Sequence, residues 1–271
     1  MAKITLTGEK ETLLIPLYGK AKETMKSAPI LIDKKAVEIV SQIDYNFSSL
    51  NIPEKTNLMN CLRAKLIDNF VKDFLSANGD CIVLHLGCGL DSRYDRIGNG
   101  KVDWFDVDFE EVINIRRNFY GETGKYHMIA SSVTESAWLE KIPRGEKQCI
   151  VIAEGLFMYL KEEKIKTLLQ RIKSRVGSFT IIFDAFNNYT ARRVKNHPSI
   201  KKTGAVIQWG VDNPRELENW DLGIELVGEE YFTDNEEIDN LSSMNRVLFK
   251  IADLFPAAKM AQRLLIYRSK R

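Results

Sequence analysis

The chain has 271 residues, 44% hydrophobic and 28% charged, proportions of a folded globular protein that exclude global disorder and fibrous structure. Its 39 Lys and Arg against 37 Asp and Glu leave a net charge of +2, which supplies no broad field for nucleic acid or an anionic membrane. Function must be sought in local motifs, with small molecules as the expected ligands.

Four cysteines, Cys61, Cys81, Cys88 and Cys149, form no CxxC pair, so neither a metal site nor a disulfide framework is expected. The first ten residues lack the apolar stretch of a signal peptide. No run approaches the roughly 18 apolar residues of a membrane span, and a soluble, cytoplasmic protein is expected.

Taken in order, residues 1–80 read as a helical cover. Segment 13–28 mixes apolar and basic positions, and Asp33 is a plausible N-cap for a helix over 34–43. The clearest helix spans 57–77, where Leu58, Leu62, Leu66, Phe70 and Phe74 recur every four residues, with Cys61, Ile67 and Val71 widening the stripe. From residue 81 the texture changes. Apolar runs at 81–86, 102–107, 126–130, 149–153 and 179–183 have strand length and alternate with helical segments at 109–120, 135–141 and 161–176. That alternation predicts βαβ units and a parallel sheet covered on both faces, an α/β core over 81–271. Residues 187–219 interrupt it with a polar stretch containing Arg192, Arg193, Lys195, Lys201 and Lys202. It reads equally as a lid or substrate wall and as a solvated connection. Strands at 223–232 and 260–268, with a helical region to 254 between them, complete one elaborated domain with a paired edge.

The first strand runs into Gly87-Cys88-Gly89, a tight turn that lets backbone approach a ligand. A dinucleotide fingerprint would have a third glycine, but Ser92 stands there, which weakens a nicotinamide or flavin reading. The second strand ends in Asp106-Val107-Asp108, and Asp108 lies 19 positions after Gly89. A carboxylate there can accept both hydroxyls of a ribose, or it can cap the following helix. Glu154 closes the fourth strand, where ligands bind in open α/β sheets, and suits a ligand with a positive centre. Read as a lone feature, it is a helix-start carboxylate. Together these residues favour a nucleoside without pyrophosphate, with S-adenosylmethionine the leading candidate.

The ordered motifs resemble the leucine carboxyl methyltransferase family, especially its bacterial branch of tetracenomycin-type O-methyltransferases. The resemblance rests on Glu11-Thr12-Leu13-Leu14-Ile15-Pro16-Leu17-Tyr18-Gly19 and Cys61-Leu62-Arg63-Ala64-Lys65-Leu66-Ile67-Asp68. It continues through Leu86-Gly87-Cys88-Gly89-Leu90-Asp91-Ser92-Arg93, Asp106-Val107-Asp108-Phe109 and Glu154-Gly155-Leu156-Phe157-Met158-Tyr159-Leu160, with Phe183-Asp184 a looser match. It implies a Rossmann-like class I methyltransferase fold: a seven-stranded, mostly parallel sheet with an antiparallel last strand, and helices over the site. By position it implies that Arg63 binds the methionine carboxylate of S-adenosylmethionine and that the Gly87, Cys88, Gly89 turn contacts the cofactor. Asp108 would hold the ribose, and Glu154 would lie by the amine or sulfonium. The resemblance also brings Lys20, just after the N-terminal motif, toward the cofactor. Without the resemblance, Arg63 reads as a solvated helix residue. Where the family has Asp-Leu against the adenine amine, this chain has Ser132-Val133, and a serine brings a hydrogen bond without charge.

Methyl transfer from a sulfonium is an in-line displacement governed by alignment. An ionised carboxylate needs no base, whereas a hydroxyl must lose its proton. His85 and His127 lie inside strand runs and read as satisfied core residues; His197 reads as a surface residue of the insertion. Tyr18, Tyr159 and Tyr189 are candidates for orienting the acceptor. The expected function is O-methylation of a small molecule at a carboxyl or acidic hydroxyl. Methylation of a protein C-terminal carboxyl, a nicotinamide-dependent oxidoreductase and a non-catalytic nucleoside-binding module are the alternatives.

Overall fold

The computed structural model describes residues 13–145, 147–194 and 206–270. His197, Lys195, Lys201 and Lys202 lie outside the described residues, as do Glu11 and Thr12 of the N-terminal motif.

Seven strands carry the chain: β1 (Cys81–Leu86), β2 (Asp103–Asp108), β3 (Tyr126–Ala130), β4 (Gln148–Ala153), β5 (Thr180–Phe186), β6 (Ile224–Tyr231) and β7 (Gln262–Ser269). They form one sheet in the order β3-β2-β1-β4-β5-β7-β6. The first five pair in parallel, and β7 runs antiparallel to both β5 and β6. Thus β7 inserts beside β5, and β6 becomes the edge. The predicted strands match to within one residue, except that β5 runs on to Phe186 and β7 starts two residues later. Chain order reverses where β1 lies between β2 and β4, which opens a crevice beyond the carboxyl ends of those strands.

Alternation along the central strands divides the core. Val83, Trp104, Ile150 and Ile152 pack against the N-terminal helices, whereas Leu84, Phe105, Val107 and Val151 pack on the opposite face. The cover consists of α1 (Leu14–Thr24), α2 (Lys34–Gln42) and α3 (Glu54–Ala77). Asp33 caps α2 as expected, its carboxylate accepting from Ala36 N at 2.8 Å. α1 and α3 approach so closely that a Cβ on Gly19 would lie 2.8 Å from Asn57 Oδ1.

α3 starts one turn before the predicted helix, because its first turn is Glu54-Lys55-Thr56 and shows no apolar signal. Its buried line departs in part from the stripe read in sequence. Steps of four advance a helix by about 400° and drift around the surface, so Leu66, Phe70 and Phe74 are only partly buried. Leu58, Leu62, Cys61, Ile67 and Val71 are buried as expected, and Asn57, Ala64, Asp68 and Leu75 join them.

Around the sheet lie α4 (Arg93–Ile97), α5 (Glu110–Arg116) and α6 (Glu162–Val176). α5 ends four residues before the predicted boundary, and 135–141 contributes only a 3-10 turn, Ala137–Lys141. Of the interrupting stretch, α7 (Asn188–Val194) and the 3-10 segment Pro214–Asn219 are described; Trp209 and Val211 between them are buried in the core. α8 (Ser243–Asp253) and α9 (Pro256–Lys259) connect β6 to β7. Among the described residues no helix is long and apolar enough to cross a membrane.

Candidate functional site

Two cavities of about 530 and 370 Å³ open along the carboxyl edge of the central strands, and both are lined by Gly87 and Tyr159. The turn after β1 forms the divide. Gly87 and Gly89 have φ of +61° and +53°, and a Cβ on Gly87 would lie 2.9 Å from Leu156. This backbone can therefore face a ligand only as glycine.

The smaller cavity is lined by Asp108, Phe109, Ser132, Val133, Leu156 and Gln208, among others. Asp108 does not cap α5, whose N-cap is Phe109. Its carboxylate accepts instead from Gly89 N and Phe109 N, both at 2.7 Å, tying the glycine turn to the end of β2. Burial pushes its pKa above the usual aspartate value, against those two hydrogen bonds. Phe109 is 54% exposed and Val206 61%, so two apolar side chains stand bare at this cavity. Ser132 Oγ lies 3.0 Å from Thr134 Oγ1.

The larger cavity has a charged floor and apolar walls. Helix α3 places Arg63 there, one end of a face that also presents Thr56, Met59 and Asn60. Arg63 is not a solvated helix residue: its side chain is 12% exposed. Nε donates to Glu154 Oε1 at 3.0 Å and Nη1 to Asp184 Oδ2 at 2.9 Å. Arg93, fully buried at the start of α4, donates to Glu154 Oε2 at 2.6 Å and to Asp68 Oδ1 at 2.7 Å, and pairs with Asp91 at 3.0 Å. Lys20 from α1 donates to Asp91 Oδ1 at 2.6 Å. Burial opposes charge on Glu154, but Arg63, Arg93 and Lys20 outweigh it and hold the carboxyl down at about 2. Asp91 is likewise held well below the usual range: burial opposes its charge, and Arg93, Arg96 and Lys20 overcome it. Asp184, at the end of β5, also accepts from Gly155 N at 2.6 Å and Gln262 Nε2 at 2.9 Å, so it locks the turn after β4.

Behind this floor the ion pairs continue. Arg96 joins Asp68, Asp33 and Asp91, while Ser92, where a dinucleotide fingerprint has glycine, is buried and donates to Asp33. The network thereby fastens α2 and α3 to the turn after β1. Asp106, two positions before Asp108, is bound by Arg116, Tyr126, Trp104 and His85. His85 is buried as expected; with Nδ1 protonated it donates to Asp106 at 3.0 Å, and Nε2 lies 3.4 Å from Arg93 Nη1. It nevertheless lines the larger cavity. His127 departs from its core reading: it is half-buried and stacks on Phe105 at 4.8 Å.

The residues singled out from the sequence thus divide between the cavities. Arg63, Cys88, Gly89 and Glu154 line the larger, Asp108, Ser132 and Val133 the smaller, and Gly87 both. Of the tyrosines, Tyr159 lines both cavities. Tyr18 lies on the other side of α1, stacked on Phe47 at 5.1 Å, and Tyr189 is 61% exposed beneath Arg193. Sequence reading missed the network roles of Asp68, Asp91, Arg93 and Asp184. One signal was available, since Asp68 sits at helical spacing in the line from Cys61 to Val71.

Residues 18–173 match the leucine carboxyl methyltransferase family. The chain is 35% identical over 265 residues to the tetracenomycin polyketide synthesis O-methyltransferase TcmP of Streptomyces glaucescens, covering 97% of this chain and 98% of that protein. It is 32% identical to the S-adenosyl-L-methionine-dependent methyltransferase dpfgK of Gibberella zeae, with 93% and 92% covered. A solved structure from Thermobifida fusca, described as a candidate methyltransferase, superposes with a TM-score of 0.55 at 14% identity, covering 94% of this chain and 96% of that one.

Proposed function

The chain belongs to the leucine carboxyl methyltransferase family, and we propose that it moves the methyl group of S-adenosylmethionine to an oxygen of a small molecule, at a carboxylate or an acidic hydroxyl. The observation that carries this reading is the pair of cavities meeting at Gly87, one presenting a carboxylate bound only by backbone N–H groups and the other a floor of paired charges.

The residues fit the cofactor. Bare Phe109 and Val206 suit the faces of a planar base, and Asp108 suits two ribose hydroxyls. Ser132 and Val133 stand at the base's edge in the place the family gives to Asp-Leu. The Gly87, Cys88, Gly89 turn would lie along the middle. In the larger cavity, Arg63 has Nε and Nη1 committed to carboxylates, while no partner of Nη2 is found among the described residues. That remaining edge of the guanidinium suits a carboxylate, and Glu154 suits the ammonium or sulfonium beside it. When bound, the cofactor supplies an electrophilic methyl group.

The acceptor is assigned to the rest of the larger cavity, among Ile15, Pro16, Met59, Met158 and Phe186, with Tyr159 beside it. Little there can remove a proton. His85 is engaged on both ring nitrogens, and Lys20 is paired with Asp91. An acceptor that arrives ionised needs no base, which supports the carboxylate or acidic hydroxyl. Methylation of a protein carboxyl, a nicotinamide-dependent reaction and binding without turnover are not favoured by the relatives. Cytoplasmic residence remains our reading and is supported by four buried, unpaired cysteines.

A test uses methyl-labelled S-adenosylmethionine and a panel of small aromatic acids and phenols. Solvent-extractable label that base hydrolysis releases identifies a carboxyl ester, and base-stable label an ether. No transfer to any acid or phenol, with the cofactor bound, counts against the O-methylation reading.

A further inference from the structure

Helix α8 carries an apolar face that none of the described residues covers. Met244, Val247, Leu248, Ile251, Leu254 and Phe255 are between 48 and 77% exposed, and they lie along one side of the helix and the turn that ends it. The opposite side, through Phe249, is what holds the helix to the fold. Scattered exposed hydrophobic residues are ordinary, but six at helical spacing make a continuous stripe of on the order of 600 Å², at or above the largest patch of a typical monomer.

We infer that this stripe is the core of a homodimer interface in which α8 packs antiparallel on α8 of a second copy. Two observations select a second copy as the occupant. The first is area. A standard interface buries about 800 Å² per partner with roughly 60% of it apolar, so the stripe supplies the apolar share without recruiting another element. The second is self-complementarity. Met244, Leu248, Ile251 and Phe255 are spaced by four, three and four positions, a spacing that reads the same in either direction. A two-fold axis crossing the helix between Leu248 and Ile251 therefore sets Met244 against Phe255 and Leu248 against Ile251 of the partner copy. A membrane surface is a poorer fit, because an interfacial helix carries a polar face rich in Lys and Arg. Here Lys250 is paired with Asp239, and Arg246, which donates to Leu241 O, lies on the side of α8 that faces the protein.

Sedimentation velocity of the full chain, loaded from about 1 to about 100 µM, reads the association directly. A species of twice the 31.1 kDa chain mass is expected, with its Kd raised about 100-fold or more by Leu248→Glu with Ile251→Glu. S-adenosylmethionine binding should persist in that variant, which shows that it is folded. A second measurement avoids introduced charge. All four native cysteines are buried, so Leu248→Cys places one accessible thiol near the axis. A short bismaleimide should then link two chains, whereas Met25→Cys, on a separate exposed site, should not be linked. A monomer throughout the range overturns the inference, as does a dimer that the glutamates leave unchanged. Capture of the monomer by vesicles of phosphatidylcholine and phosphatidylglycerol, lost in the glutamate variant, overturns it in favour of a membrane.

Discussion

The two ends of the site treat buried carboxylates in opposite ways. On the floor of the larger cavity Glu154, Asp91 and Asp184 each meet at least one guanidinium or ammonium, and Glu154 is held ionised. At the smaller cavity Asp108 meets two backbone N–H groups and no cation within ion-pair distance among the described residues, and burial raises its pKa. Asp106 sharpens the contrast, since it lies two residues away on the same strand yet is saturated by Arg116, Tyr126, Trp104 and His85. Asp106, its oxygens taken up by donors on every side, holds the fold together. A carboxylate held only by backbone, at a cavity wall, retains acceptor capacity for neutral hydroxyl donors.

The strongest way to break this comparison is Arg93→Leu. It leaves Asp68, Asp91 and Glu154 without their shared buried cation, and a loss of about 3–5 kcal/mol is expected in urea unfolding. Asp108→Asn, by contrast, should cost at most about 1–2 kcal/mol, because its partners are backbone groups that an amide oxygen can still accept from in part. If both changes destabilise equally, the distinction between the two ends fails.

Acid titration separates the same residues by sign. The carboxyls of Glu154 and Asp106 titrate at about 2 in the folded chain, below their ordinary values of 4.5 and 3.8. The stability they contribute is full above those ordinary values and is lost as pH falls toward about 2. Asp108 is shifted upward, so its contribution is lost as pH rises through its raised value. Glu154→Gln should therefore shrink the loss of stability between pH 4.5 and 2 by on the order of 2 kcal/mol, whereas Asp108→Asn should not. Unfolding curves across that range read both.

Smaller effects concern ligand affinity. Ser132→Asp restores the charged acceptor that the family places against the adenine amine and should tighten cofactor binding by a few-fold, worth about 1 kcal/mol. Unchanged or weaker binding would show that Ser132 is not at the base.

The α/β alternation, the strand boundaries, the glycine turn, Asp108 and Glu154 were legible because each leaves a local mark: an apolar run, a glycine pair, or a carboxylate closing a strand. The buried ion network was not. Asp68, Arg93 and Arg96 are charged residues that a local reading assigns to solvent, and only the approach of α2 and α3 to the turn after β1 brings them together. The same limit explains Arg63, which needed the resemblance to be singled out. Short 3-10 turns such as Ala137–Lys141 have too few residues to show a period. The exposed face of α8 carries the same amphipathic signal as a buried one, so periodicity could not tell which side met the protein.

The central claim, that S-adenosylmethionine binds across both cavities, is tested most directly by calorimetric titration of the full chain and its Asp108→Asn and Arg63→Met variants. The expected result is one site per chain, weakened about tenfold or more by either substitution although the two residues line different cavities. Binding that survives both substitutions unchanged, or no binding by the folded wild type, would contradict it.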